Sequence, residues 1–182
     1  MADLPVADPA VAVSRRVGVG MVTLRLDLAA AGAPEALAAV GLALPDRRRI
    51  AFTPEGAAAW MSPDELMLFG LAAGTAARIA ALEAALATAP AGRNSLAVDV
   101  SDARALFRLD GAHARDTLAR GVPVDLAPAA FGPGDFRRTR LGPVAVAFWA
   151  TEDGAFELMC WRSLADHVAL WLATASGQGA RS

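Results

Sequence analysis

Lysine and tyrosine are absent from this 182-residue sequence, which also holds one cysteine and two histidines. All 17 basic side chains are therefore arginines, set against 19 acidic residues. We attribute the missing lysine, with the abundant alanine and glycine, to the base composition of the source genome. An arginine here is a weaker sign of an anion site than usual. The net charge of −2 and pI near 5.7 give no general attraction to nucleic acid or anionic membranes.

A single cysteine cannot form an internal disulfide, so nothing indicates an oxidising compartment. Residues 1–20 hold Asp3, Pro5, Asp8 and Pro9 where a signal peptide would need an unbroken apolar run. No stretch approaches the roughly 20 consecutive apolar residues of a membrane span. The sequence predicts a cytoplasmic protein.

The sequence contains no metal-binding or nucleotide-binding motif. His113, His167 and Cys160 have no ligand spacing. The glycine-containing segments 17–20 and 131–135 lack the full Gly-x-Gly-x-x-Gly pattern, and no lysine exists to complete a phosphate loop. We predict no metal or cofactor site within this chain.

One segment, FELMCWRSLADHV at 156–168, invites a catalytic interpretation because it holds both Cys160 and His167. A reactive thiol needs an electropositive, partly exposed setting. In a strand, however, Cys160 shares its face with Phe156 and Leu158, where a thiol behaves as a small apolar group. We therefore predict a core cysteine and a histidine at the edge of a helix face.

Two helix starts carry capping patterns. Thr75 is the first residue of TAARIAALEAALAT (75–88), the clearest amphipathic helix, and can cap it. Ser163, with Asp166 three positions later, matches a capping box before the last helix. These patterns predict side-chain caps at both positions.

The overall pattern predicts an α+β fold with antiparallel or mixed sheets. Predicted strands and helices alternate over residues 21–90 and again over 95–175, and each half ends in a hairpin followed by a helix. The prediction is a single domain of two pseudo-repeated β-α-β-β-α-like halves, with a loose arm at 1–20 and a disordered tail at 176–182. The run 144–149 is apolar on both faces, which predicts a strand covered on both sides.

Two basic segments stand out, DRRRI at 46–50 and FRRTR at 136–140. In a strand, Arg138 and Arg140 share one face. The segments are compatible with bidentate binding of an anion or a carboxylate, or with solvated charges and contacts at the rim of a partner interface.

Several segments carry a family resemblance. They include AAAWMSPDELML, VDVSDAR, GVPVDLAPAAFGPGDFRRTRLGPVAVAFW and FELMCWRSLADHVALWL, which together cover roughly 57–172. VDVSDARALFRLDGAHARDTLARGVPVDL resembles the folate-binding domain of the glycine-cleavage aminomethyltransferase. The combination resembles the gamma subunit of heterotetrameric sarcosine oxidase.

The resemblance implies a non-catalytic structural subunit that packs mainly against a large alpha subunit, with beta and delta subunits completing the complex. It implies that FAD, FMN, NAD, zinc and tetrahydrofolate belong to the partner subunits, and that the complex demethylates sarcosine oxidatively. The alternative is a folate-binding one-carbon transferase acting alone. The hairpin after Arg140 has no acid before Ala150, so no catalytic residue is carried over.

Tryptophan and arginine dominate binding hot spots. We therefore expect the anchors of a subunit interface among five residues: Trp60, Arg138, Arg140, Trp149 and Trp161.

Overall fold

The computed structural model describes residues 11–70 and 74–177. Within these ranges, the strands and helices in chain order are β1 (Ala12–Arg16), β2 (Met21–Arg25), α1 (Ala33–Ala38), β3 (Ile50–Thr53), β4 (Gly56–Ser62), β5 (Glu65–Phe69), α2 (Thr75–Leu86), β6 (Leu96–Asp99), β7 (Arg104–Asp110), α3 (Ala114–Ala119), β8 (Phe136–Leu141), β9 (Val144–Ala150), β10 (Phe156–Trp161) and α4 (Ala165–Ala175). Short 3₁₀ turns cover Pro90–Asn94 and Arg162–Leu164.

The chain divides into two compact units. The N-terminal unit contains Val17–Arg104 and Gly134–Arg138. The C-terminal unit contains, among the described residues, 11–16, Ala105–Pro133 and 139–177. Each unit is built on one five-stranded sheet.

The sheet of the N-terminal unit has the order β3-β4-β5-β2-β6, and its neighbouring strands all pair antiparallel. Alternation of apolar and polar residues makes β2 a strand with one buried face, where Val22 and Leu24 are fully buried. That face packs with Leu37 of α1 and with Leu82 and Leu86 of α2 into one apolar core. The burial supplies the main stabilisation of this unit.

The sheet of the C-terminal unit has the order β1-β7-β10-β9-β8. Its core contains four phenylalanines, and among them Phe131 lies 5.0 Å from Phe148 and 6.2 Å from Phe156 between ring centroids. Val168 and Leu172 of α4 are fully buried against the same cluster. Their four-residue spacing places both on one face of the helix, which explains how α4 covers the sheet.

The two units repeat one chain order. β2-α1-β3-β4-β5-α2 in the first matches β7-α3-β8-β9-β10-α4 in the second, with corresponding sheet orders. The fifth strand of each sheet is exchanged. β1 lies just ahead of β2 in the chain but pairs with β7, whereas β6 lies just ahead of β7 but pairs with β2. The predicted α+β fold of two pseudo-repeated halves is confirmed, and β3 is a strand beyond the prediction.

The prediction of a loose arm over 1–20 is wrong for residues 12–16. They form β1, which pairs with β7 from Ala12 opposite Asp110 to Arg16 opposite Leu106. A short edge strand with mostly exposed side chains carries little apolar periodicity, and its pairing partner is about 95 residues away. Residues 1–10 and most of the predicted tail, 178–182, lie outside the described residues.

The predicted boundary near residues 90–95 also moves. Residues 90–94 form a 3₁₀ turn in which Ala91 is buried and donates its backbone N–H to Ala31 O at 3.2 Å. Because β6 then pairs with β2, the N-terminal unit extends to Arg104. The decisive interactions are long-range backbone hydrogen bonds, which composition does not encode.

The predictions of side-chain caps at Thr75 and Ser163 are both wrong. Gly74 precedes α2, and the Thr75 hydroxyl donates instead to the Asp99 carboxylate. Ser163 lies inside the 3₁₀ turn that follows β10, so helical geometry already begins upstream of it and no side-chain cap bond forms at α4. Among the described helices, none is long and apolar enough to cross a membrane.

Candidate functional site

Cys160 lies in the core, as its strand parity predicts. It is 1% exposed and belongs to the same cluster as Phe156 and Leu158. His167 is exposed on α4. A buried thiol beside aromatic and aliphatic groups is not activated as a nucleophile, so the Cys160/His167 pair does not form a catalytic site.

The described ranges contain no group of three or more His, Cys, Asp or Glu side chains that could hold a metal ion.

The two-faced burial predicted for 144–149 is confirmed, because all but one residue of β9 is buried.

The five interface candidates differ in exposure. Trp161 is 46% exposed at the end of β10, Arg138 and Arg140 are both exposed along β8, and Trp60 is half-buried. Trp149 is only 3% exposed. The interface prediction is wrong for Trp149, because its side chain is enclosed within the chain and offers no surface to a partner.

The two basic segments meet inside the N-terminal unit. Arg49 forms an isolated antiparallel bridge with Asp135, and Phe136 N donates to Arg48 O at 2.9 Å. Arg49 Nη1 lies 3.0 Å from Asp135 Oδ1, and Arg137 Nη1 contacts Arg48 O at 3.3 Å. Segments almost 90 residues apart in sequence thus form one surface.

A charged network that sequence inspection missed occurs in each unit. In the N-terminal unit, Arg25 of β2 contacts Asp64 at 2.9 Å and Glu65 at 3.4 Å. The Ser62 hydroxyl donates to the other Asp64 oxygen at 2.5 Å. Glu65, which is 8% exposed, also lies 3.7 Å from Arg138 Nη1.

The C-terminal unit repeats this arrangement at equivalent positions of its fold. Arg108 of β7 contacts Asp153 at 2.5 Å, and its Nη1 lies 3.5 Å from Glu157 Oε1. The Thr151 hydroxyl donates to the other Asp153 oxygen at 2.5 Å. Arg108 also binds both oxygens of Asp110, at 2.7 and 2.9 Å. A bidentate pair of this kind fixes the guanidinium orientation.

Glu157 is the most deeply buried acid of the network. Its Oε1 accepts from Arg16 Nη1 at 2.7 Å, while its Oε2 is buried and accepts no hydrogen bond within the described part of the chain. Burial raises the pKa of Glu157, and the charges of Arg16 and Arg108 oppose that rise. The charges of these two arginines therefore favour the ionised form of the buried Glu157 carboxyl.

The two hairpin aspartates titrate in the opposite direction. The Thr151 hydroxyl and then Arg108 lower the pKa of Asp153 to about 2. In the other unit, the Ser62 hydroxyl and, more weakly, the charge of Arg25 lower the pKa of Asp64. Both networks hold an ionised aspartate against an arginine, and this tethers the hairpin tip to the first strand of its half.

A sequence signal for the network exists. LRLD at 24–27 and FRLD at 107–110 occupy equivalent strands, as do ELML at 65–68 and ELMC at 157–160. Four-residue similarities are too short to be significant by themselves. When the two halves are aligned by their folds, Arg25 coincides with Arg108 and Glu65 with Glu157. This agreement supports a duplicated architecture.

The sequence model of the family described as "Sarcosine oxidase, gamma subunit family" matches residues 25–178. This chain belongs to that family. The match begins at Arg25, the arginine of the first charged network, and covers both basic segments and every residue of the two networks except Arg16.

Relatives in this family are about 30% identical to the chain over the aligned residues. Sarcosine oxidase subunit gamma of Corynebacterium sp. (strain P-1) is 32% identical over 142 residues, which cover 77% of this chain and 67% of that protein. Sarcosine oxidase subunit gamma of an Arthrobacter species is 29% identical over 144 residues, covering 78% and 68%.

Solved structures agree with the sequence matches. A chain of heterotetrameric sarcosine oxidase from Corynebacterium sp. U-96, in complex with pyrrole 2-carboxylate, superposes with a TM-score of 0.82 and 25% identity. The superposition covers 94% of this chain and 86% of that one. Aminomethyltransferase T from Bartonella henselae matches with a TM-score of 0.61 and 15% identity over 90% of this chain and 45% of its own. The predicted kinship with the aminomethyltransferase fold is confirmed at the level of fold.

Proposed function

We propose that this chain is the structural gamma subunit of a heterotetrameric sarcosine oxidase. The observation that carries the proposal is the near full-length superposition on a chain of such an enzyme, with a TM-score of 0.82. Family membership over residues 25–178 supports it. The subunit contributes to oxidative demethylation of sarcosine to glycine by the complex, with transfer of the one-carbon unit to tetrahydrofolate.

In this proposal the chemistry belongs to the other subunits. Alpha, beta and delta subunits hold FAD, FMN, NAD and zinc and bind tetrahydrofolate, and the large alpha subunit is the main partner. Two properties of this chain support a structural role. Its one thiol is buried, and its most perturbed carboxyls are used in internal ion pairs. The assignment of the complex to the cytoplasm stays a prediction.

Co-expression with the flavin-bearing subunits tests the proposal. We expect a stable complex that contains this chain, shows a flavin absorption spectrum and consumes oxygen when sarcosine is added. Omission of this chain should lower the yield or stability of the complex rather than change the reaction. A chain that stays monomeric and ignores the other subunits would contradict the proposal.

A folate titration tests the alternative of an independent one-carbon transferase. Four tryptophans report on the chain, and we expect their fluorescence to stay unchanged as tetrahydrofolate is added to the isolated protein. A saturable change would favour the alternative, and transfer activity by the isolated chain would establish it.

A further inference from the structure

We propose that the N-terminal unit carries a docking surface for an acidic face of a partner subunit. We name it the arginine surface and define it by Arg47, Arg48, Arg49, Arg137 and Arg138, with Trp60 beside them. This inference rests on the proposed function and specifies which part of the chain meets a partner, and through which chemistry.

Charge is the first argument. The segments 46–49 and 135–138 hold five arginines and two aspartates, a local formal charge of +3 in a chain whose net charge is −2. Folding places these segments side by side through the Arg49–Asp135 bridge and the bond from Phe136 N to Arg48 O. Concentrating like charges costs free energy, which an oppositely charged partner offsets.

The pairing of the individual arginines is the second argument. Arg49 and Arg137 share Asp135, at 3.0 and 3.7 Å. Arg138 donates to Met61 O at 3.1 Å and lies 3.7 Å from Glu65 Oε2. Within the described residues neither Arg47 nor Arg48 forms an ion pair, and both are exposed. The inner arginines shape the surface, while Arg47 and Arg48 present guanidinium groups outward.

Arg47 is further ordered by Trp60. Its guanidinium carbon lies 5.8 Å from the centre of the indole ring, within cation–π range. A planar guanidinium held against an aromatic ring loses less freedom on binding a carboxylate than a solvated one. Arginine and tryptophan together form the composition that dominates interface hot spots.

The backbone at Arg48 is the third argument. Its φ of +62° makes it the one non-glycine residue of the described ranges in the left-handed region, a conformation that costs free energy for a side chain of this size. There the Arg48 carbonyl accepts from both Phe136 N and Arg137 Nη1. Gly134, at φ +76°, adopts beside this segment a backbone conformation that L side chains rarely take. The fold thus holds the surface in one defined shape.

An acidic protein surface fits this arrangement better than nucleic acid. The chain as a whole is negatively charged, so a long polyanion would meet repulsion beyond the patch. Carboxylates on a complementary folded surface can contact the local excess of arginines without extending over the acidic remainder of the chain. The expected partner therefore carries a cluster of Asp and Glu where it contacts residues 47–49 and 137–138.

Charge reversal of the two unpaired arginines tests the surface. In the double variant Arg47→Glu/Arg48→Glu, we expect association with the partner subunits at about 50 mM salt to weaken by about tenfold or more, with a shallower salt dependence. The matched control Arg15→Glu/Arg93→Glu changes the same charge at exposed sites elsewhere and should alter association by about twofold or less. Circular dichroism of each variant confirms folding, and the neutral pair Arg47→Gln/Arg48→Gln should lie between wild type and the reversed variant.

The outcomes separate the two proposals. Suppose that the wild-type chain assembles, and that Arg47→Glu/Arg48→Glu weakens assembly no more than the control Arg15→Glu/Arg93→Glu. The arginine surface is then overturned while the proposed function stands. If the wild-type chain does not assemble, both fail. Duplex DNA bound by the wild type and lost in Arg47→Glu/Arg48→Glu, with subunit assembly intact, would show nucleic acid as the occupant and overturn the proposal.

The absence of lysine permits a direct contact map. Arg48→Lys introduces the one side-chain amine of the chain, and carbodiimide couples an amine to a carboxylate only when the two are in contact. In the assembled complex we expect an amide bond from position 48 to an Asp or Glu of a partner subunit, identified by peptide mass spectrometry. Coupling confined to this chain, or none at all, overturns the docking surface.

Discussion

Arg108 binds carboxylates of three residues in the C-terminal unit, and its replacement by methionine should destabilise the chain more than the same change at Arg25. Methionine keeps an apolar stem of similar length, so the comparison isolates the charge. The Arg108 side chain is 20% exposed and Arg25 is 52% exposed. Since the two arginines occupy equivalent positions, each variant serves as the matched control of the other.

The magnitudes follow from distance and burial. At the 3.5 Å separation of Arg108 and Glu157, an effective dielectric constant of about 20 gives an attraction of about 5 kcal/mol before desolvation. At the 3.4 Å separation of Arg25 and Glu65, screening around the half-exposed guanidinium reduces the attraction toward about 1 kcal/mol.

Each glutamate retains a second arginine, so the full cost of an orphaned buried charge does not apply. We expect Arg108→Met to lower the free energy of unfolding by about 2–3 kcal/mol and Arg25→Met to lower it by about 1 kcal/mol or less. Urea unfolding of the purified chain, followed by tryptophan fluorescence, measures both values. The corresponding fall in Tm for Arg108→Met is about 4–10 °C.

The pH dependence identifies the carboxylate responsible. Burial already raises the pKa of Glu157, and loss of Arg108 removes a charge that opposes this rise. When the folded state raises the pKa of a carboxyl, ionising that group lowers the free energy of unfolding at pH values above the raised pKa. This loss of stability disappears as the pH falls through the folded-state pKa toward the unfolded-state value. The deficit of Arg108→Met should therefore shrink as the pH falls from neutral toward the ordinary titration range of a carboxyl group, and adding Glu157→Gln should remove that pH-dependent part.

Two results would refute this reasoning. Equal losses in the two arginine variants would show that burial does not govern the strength of the networks. A deficit of Arg108→Met that is unchanged with pH, or that persists fully with Glu157→Gln, would show that the loss comes from packing and not from the buried carboxylate.

Three further predictions concern the C-terminal unit. The pKa of Asp153 is lowered to about 2, so the ionised carboxylate stabilises the fold above the unfolded-state pKa of 3.8, and this stabilisation is lost as the pH falls toward 2. In thermal melts, Asp153→Asn should therefore be less stable than wild type at neutral pH and match it near pH 2. The buried Cys160 thiol should resist labelling in the native chain and react at the urea midpoint, and fast native labelling would contradict its core position. Gly121→Ala places a Cβ 2.4 Å from the Trp171 ring and should cost about 1–3 kcal/mol, while the open site Gly132→Ala should cost little in the same unfolding assay.

Local pattern explains why most elements were predictable. Alternation of apolar and polar residues predicts β2 and β10, and the 3.6-residue period predicts α2 and α4, because these signals arise from which neighbours share a face. β1 and β3 lack such a signal. They are short, and β1 exposes most of its side chains, so their existence depends on the strand beside them.

The candidate site shows the same division. Arg138 and Arg140 were found from composition, and their common face follows from strand parity. Trp149 was misplaced because a tryptophan at a two-faced strand is consistent with both core and interface until burial is known. Arg47, Arg48 and the networks around Arg25 and Arg108 depend on contacts between distant segments, which no local pattern contains.

By itself, the sequence determined most of the strands and helices, the α+β class and the family, because periodicity, turn residues and short motifs are local properties. Tertiary structure alone decided the exchange of β1 and β6 between sheets, the enclosure of Trp149 and the meeting of residues 47–49 with 135–138. The strand exchange and the meeting of the two basic segments arise from backbone pairing across roughly 70 to 100 residues, and the burial of β9 encloses Trp149. The free energy of that pairing depends on the whole fold, so the docking surface exists only in the folded chain.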